Sequence, residues 1–197
     1  MKELTTPLRP ENLKWLRAGD WVSISGRLIT ARDQTHRRLL ELMDQGERLP
    51  VEFRGAIIYY VGPTPAPPGM ACGAAGPTTS YRMDPYTPRI LQTGVLALMG
   101  KGPRSTEVKD ALKGHGAIYL ATIGGAGAYL SQKIKTIKLA AFPELGPEAL
   151  YEMEVEGFPA IVINDTLGND YYETLNSSYG LKQDRTPKKT KNERSHP

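Results

Sequence analysis

Short apolar runs, glycine-rich turns and amphipathic stretches follow one another along the chain. Trp21–Thr30 alternates in two short stretches on either side of Gly26, which predicts a strand with a bulge or tight bend. Asp33 is placed to cap a helix running through about Met43, with Leu39, Leu40 and Met43 on one face and Gly46 beyond its end. Residues 56–61 read as a buried strand ended by Gly62-Pro63. Residues 63–75, rich in Pro, Gly and Ala, show no period and read as a loop. Thr87-Pro88 suggests an N-cap with proline at the first helical position, leading a short helix closed by Gly94.

The apolar run 95–99 stops at Gly100, as a strand buried on both faces would. Ser105 can cap a helix through Lys113, with Gly114 at its end, and residues 117–122 form another buried strand. Gly124-Gly125-Ala126-Gly127 opens a helix over about 128–133. Residues 135–141, 151–156 and 160–164 are further strand candidates. Strand, glycine-rich turn and helix alternate through the middle, which is the pattern of a parallel sheet with crossovers. Both ends are richer in strands, so the expected fold is mixed α/β with a second β layer.

Composition narrows the function classes. The 197 residues are 40% hydrophobic and 23% charged, ordinary for a globular domain. No apolar run reaches the roughly 18 residues of a membrane span, and residues 1–7 lack an apolar signal core, so a cytoplasmic protein is expected. The net charge of +4 resides entirely in residues 182–197, which carry six basic and two acidic side chains. The preceding residues are balanced. A domain over 1–181 with a basic, disordered tail over 182–197 is therefore expected, and no nucleic-acid partner. The single cysteine, Cys72, cannot supply a disulfide within the chain or a cysteine-held metal or iron–sulfur site by itself.

Two glycine-rich sites suggest nucleotides and fail on detail. Gly100-Lys101-Gly102 has glycine where a Walker loop needs Ser or Thr, and Gly125-Ala126-Gly127 meets Leu130 where a dinucleotide fingerprint needs a third glycine. Anion binding survives, because each loop precedes a helix. Arg32, Lys101 and the Thr78–Arg82 cluster all fall in loops after buried strands, where open α/β sheets place their sites. Three cations beside Thr78 and Thr79 suit a small dianion, since arginine grips a carboxylate through two parallel bonds and lysine adds a point charge. Each cation could equally make a structural ion pair or face water, and one of the hydroxyls could cap a helix. His36, one turn after Arg32, is either a packed polar residue or part of a proton relay.

Arg32-Asp33-Gln34-Thr35-His36-Arg37-Arg38, Gly76-Pro77-Thr78-Thr79-Ser80-Tyr81-Arg82-Met83-Asp84 and Gly100-Lys101-Gly102 follow one another in an order and spacing that resembles the class I fumarase and tartrate dehydratase β family. Gly124-Gly125-Ala126-Gly127-Ala128, residues 154–160 and Gly168-Asn169-Asp170 are similar to that family as well. The resemblance runs from about Leu4 to Tyr172. It implies a swivelling β/β/α three-layer domain with a mainly parallel central sheet. It also implies a four-iron four-sulfur cluster held by three cysteines of a partner α subunit, in an α2β2 assembly, and a small dicarboxylate substrate. The implied activity is reversible hydration of fumarate to (S)-malate. L-tartrate dehydratase is the nearest alternative, and a stand-alone anion-binding module is the alternative of another class. Carried over by residue, Arg32, Arg82, Lys101 and Thr79 would bind the substrate, Thr78 would be the base and His36 would orient or relay.

Overall fold

A computed structural model describes residues 1–178 of the chain. The strands are β1 (Lys2–Thr5), β2 (Trp21–Thr30), β3 (Ile57–Tyr59), β4 (Ala97–Gly100), β5 (Ile118–Ala121), β6 (Ile134–Ala141) and β7 (Leu150–Asn164). The helices are α1 (Pro10–Leu13), α2 (Asp33–Gln45), α3 (Thr87–Leu91), α4 (Thr106–His115), α5 (Gly127–Ser131) and α6 (Tyr171–Ser178). A 3-10 turn spans Ser80–Met83 and another spans Pro143–Glu148.

Among the described residues the seven strands join one sheet in the order β1-β2-β3-β4-β5-β7-β6, and β2 also pairs with β7. Pairing is parallel from β1 through β5 and antiparallel wherever β7 takes part. The extra β2–β7 ladder closes the sheet on itself like a barrel. β7 makes this possible by its length: its first half lies between β6 and β2, its second half between β5 and β2. The expected second β layer is thus the antiparallel β6–β7 wall of the same sheet.

Alternation persists although the central strands are buried on both faces. Ile57 and Tyr59 of β3, Ala97 and Met99 of β4, and Ile118 and Leu120 of β5 pack into the closed interior. Ile58, Leu98 and Tyr119, one residue out of phase, pack against α2, α3 and α4 instead. A strand covered on both faces reads as a continuous apolar run, which explains why residues 95–99 and 117–122 carry no visible period.

Several boundaries differ from the sequence reading for identifiable reasons. Arg32, not Asp33, is the N-cap of α2, and no side chain among the described residues caps that end. Asp33 instead accepts a hydrogen bond from Arg82. Tyr86 precedes α3, and Thr87 turns its hydroxyl back to the Met83 carbonyl at 2.9 Å. Ser105 does cap α4, accepting from the Val108 N–H, but the helix runs past Gly114 to a left-handed Gly116. The two late strand candidates 151–156 and 160–164 are one strand. Gly157 takes a φ of +62° opposite the bulge at Ile24/Gly26, so the break in apolar period is a paired irregularity. The sequence pattern gives no sign of β1, α1 and α6. Among the described residues no helix is long and apolar enough to cross a membrane. The tail expected over 182–197 lies outside the described residues.

Candidate functional site

Because β2, β3, β4 and β5 run parallel, their carboxyl ends share one edge of the sheet. Arg32 follows β2, Thr78 to Arg82 close the long loop after β3, and Lys101 follows β4. The topology therefore brings the loops carrying every substrate-binding candidate to one rim.

The motif loop is held by backbone bonds. The Thr78 N–H donates to the Tyr60 carbonyl at 2.7 Å, the Lys101 N–H to the Thr78 carbonyl at 3.2 Å, and the Ser80 N–H to the Lys101 carbonyl at 2.9 Å. Thr79 and Lys101 form a parallel bridge, so Thr78–Ser80 extends the sheet between β3 and β4. This approach needs glycine at 100, where a Cβ would lie 2.1 Å from the Ser80 Oγ. Further back, the loop pairs with itself through Thr64, Gly73 and Ala74, and Tyr59 donates its hydroxyl to the Ala75 carbonyl at 2.6 Å. Gly127 packs against Gly76 so closely that a Cβ would stand 3.1 Å from the Gly76 nitrogen. The Gly124–Gly127 loop thus braces the motif loop. The helix it opens, α5, has only five residues.

Two of the three candidate cations are paired with carboxylates. Arg82 Nε donates to Asp33 Oδ1 at 3.0 Å, joining the 3-10 turn to the first residue of α2. Arg32 lies 3.2 Å from Glu148, whose other oxygen accepts from the Gln34 N–H and whose carbonyl accepts from the Thr35 hydroxyl. Gly62 gives the Arg32 side chain room, since a Cβ there would fall 2.7 Å from its guanidinium. Lys101 is exposed and makes no ion pair among the described residues. Thr78 and Thr79 are half-buried beside it.

His36 is fully buried between the rings of Tyr60 and Tyr86. Its Nδ1 lies 2.8 Å from the Arg32 carbonyl, which fixes that nitrogen as the N–H of a neutral imidazole. Burial pushes its pKa down to about 4, and the Arg104 charge acts in the same direction. Its Nε2, the Arg32 Nε and the Asp33 Oδ2 are buried with no hydrogen-bond partner among the described residues. All three belong to the start of α2, so this corner holds polar capacity that its own fold does not use.

Sequence reasoning missed Glu148 and Arg104. Glu148 sits in a Pro/Gly-rich turn with no periodicity to flag it. Arg104 reads as an ordinary loop arginine before the cap Ser105, yet its guanidinium is buried, 2.7 Å from Asp84 and 2.7 Å from the Thr87 hydroxyl.

An iron–sulfur cluster does not fit this chain. Such clusters are held mainly by several cysteine thiolates, and the one cysteine, Cys72, is buried with its thiol pKa raised by burial. Among the described residues no three His, Cys, Asp or Glu side chains are grouped as metal ligands.

A mixed α/β fold closed through one long antiparallel strand, with an anion-suited rim at its parallel edge, defines the class. Residues 2–175 match the family described as Fumarase C-terminus, and the chain belongs to that family. It is 45% identical over 159 residues to the aerobic class I fumarate hydratase of Salmonella typhimurium, covering 80% of this chain and 27% of that protein. It is 45% identical over 165 residues to fumarate hydratase 2 of Leishmania major, covering 82% and 29% respectively. The chain thus spans little more than a quarter of these relatives. With a putative L(+)-tartrate dehydratase subunit beta of Methanocaldococcus jannaschii it is 37% identical over 175 residues, covering 86% of this chain and 90% of that protein.

Proposed function

We propose that this chain is the β-type subunit of a class I hydro-lyase that interconverts fumarate and (S)-malate together with a separate, cluster-bearing α subunit. The observation that carries this reading is the convergence of Arg32, Thr78, Arg82 and Lys101 on one rim of a Fumarase C-terminus domain. Hydration adds a proton to one carbon and hydroxyl to the next, and the dicarboxylate must be held while this happens. Arg32, Arg82 and Lys101 bind the carboxylates, with the Thr79 hydroxyl beside them, and Arg82 exchanges part of its bond to Asp33 for the substrate.

Thr78 is the group that moves the proton on the carbon next to a carboxylate. A threonine hydroxyl is a weak base, so it depends on the field of the neighbouring cations, and its backbone is fixed between Tyr60 and Lys101 for that task. His36, buried and neutral, acts on the site by holding the Arg32 carbonyl. The four-iron four-sulfur cluster belongs to the α subunit in a cytoplasmic α2β2 assembly. This chain moves against that subunit as a swivelling β/β/α three-layer domain.

The coverage of a tartrate dehydratase subunit beta over 90% of its length supports the two-chain organisation and a second reading, L-tartrate as substrate. Anaerobic co-expression with a partner of three well-spaced cysteines, assayed on fumarate and on L-tartrate, separates the two. In that complex Arg82→Ala is expected to lower kcat/KM by about 30- to 150-fold, the loss of one charge-assisted carboxylate contact of about 2–3 kcal/mol. Near-normal turnover by the variant would overturn the site assignment, and turnover by this chain alone would overturn the subunit reading.

A further inference from the structure

We infer that Arg104 is a positioning residue that sets the Arg82-bearing turn against the Lys101-bearing loop, so that the two cations meet one substrate together. The inference rests on the dicarboxylate reading of the rim and goes beyond it, because Arg104 does not itself reach the open edge.

Its guanidinium is enclosed, with no exposed side-chain surface. A buried arginine needs a partner for each donor direction, or it leaves an expensive unsatisfied charge. Arg104 Nε donates to Asp84 Oδ1 at 2.7 Å, one terminal nitrogen donates to the Thr87 hydroxyl at 2.7 Å, and the other lies 3.3 Å from the Tyr60 hydroxyl. The cation also sits over the rings of Tyr119 and Tyr60, 5.0 and 5.4 Å from their centres.

These partners belong to the pieces that carry the site. Asp84 ends the 3-10 turn two residues after Arg82, and its second oxygen accepts from the Ser105 N–H at 2.8 Å, tying that turn to the start of α4. The Tyr119 hydroxyl lies 2.9 Å from the Gly102 carbonyl and 2.8 Å from the Ser80 Oγ, which in turn accepts the Lys101 N–H at 3.1 Å. One buried cation therefore braces both loops from beneath through two tyrosines and an aspartate. A lysine at 104 would keep a charge for Asp84 but could not span Asp84, Thr87 and Tyr60 with one planar group.

The test has two arms. In the full chain, amide hydrogen exchange of Arg104→Lys is expected to speed by at least about tenfold at Ser80, Lys101 and Ser105, while β4 and β5 interior amides stay slow. Unchanged exchange at those three amides would overturn the proposal. In the reconstituted two-subunit complex, Arg104→Lys is expected to raise KM for the dicarboxylate about tenfold or more, and to add little when Arg82→Ala is already present. Full additivity of the two changes would reduce Arg104 to a structural residue and overturn its positioning role. A wild-type complex that turns over neither fumarate nor L-tartrate would overturn the functional reading, and the exchange arm would still judge the brace. If Arg104→Lys does not fold, Asp84→Asn is put through the same two arms; at this partly exposed position it removes the charge and leaves one acceptor for the two donors, Arg104 Nε and the Ser105 N–H.

Discussion

His36 is a histidine that the folded chain keeps uncharged. Burial lowers its pKa from 6.5 to about 4, so between these values the unfolded chain binds a proton that the folded chain refuses. The resulting stability is complete above about pH 6.5 and is lost as the pH falls towards 4, a contribution on the order of 3 kcal/mol. Urea unfolding at pH 7.5 and pH 4.5 is expected to show this loss, and His36→Gln should remove most of it; an equal loss in both proteins would assign the acid sensitivity elsewhere. At this scale the sequence was informative where a residue followed a buried strand. Arg32, Thr78, Arg82 and Lys101 could be picked out on that ground. Their ion pairs could not, since Asp33 has the residue type and position of a helix cap and Glu148 lies more than a hundred residues from the arginine it meets. Arg104 was illegible for a related reason: a charged residue in a short loop reads as solvated, and only the tertiary fold reveals two tyrosine rings closing over it.

Elements were legible in proportion to how locally they are determined. Ser105 caps α4 and Gly46 closes α2 with a φ of +68°, both decided within a few residues by capping chemistry. β7 reads as two strands in the sequence because the Gly157-Phe158-Pro159 break is a local signal, whereas its pairing with β2 spans almost the whole domain. The junction of β4 with the motif loop has the same non-local character and gives a sharp expectation. Gly100→Ala places a Cβ 2.1 Å from the Ser80 Oγ, 2.9 Å from the Tyr60 ring and 3.1 Å from the Thr78 carbonyl, so the Ser80 hydroxyl has to leave the Lys101 N–H and Tyr119, and the strand and motif loop have to move apart by a few tenths of an ångström. A loss of about 2–4 kcal/mol in denaturant unfolding is expected, typical of overpacking together with broken hydrogen bonds. A loss under about 0.5 kcal/mol would show that the junction is loose.

For the whole molecule, closure distributes protection unequally. β3 and β4 have neighbours on both edges and apolar cover on both faces, whereas among the described residues β1 pairs along one edge only. Native-state hydrogen exchange is therefore expected to leave the amides of β3 and β4 exchanging only through global unfolding, with β1 opening first. Equal protection of β1 and β4 would contradict the architecture. The sequence reading reached the mixed α/β class and the parallel order of the central strands, because strand and helix alternate there. It did not reach closure, since no local pattern records which distant strand completes a ring.

That closure also fixes a schedule for synthesis. Among the described strands β7 enters last, and it bridges β5 and β6 to β2, pairing residues as far apart as Trp21 and Ile161. A nascent chain can emerge with Arg32, Thr78, Arg82 and Lys101 already outside the ribosome and still lack the strand that locks the sheet beneath them. Such long-range pairing closes slowly and leaves strand edges open meanwhile. Until residue 164 emerges, the edges of β2 and β5 that β7 covers have no partner and are open to pairing with another chain.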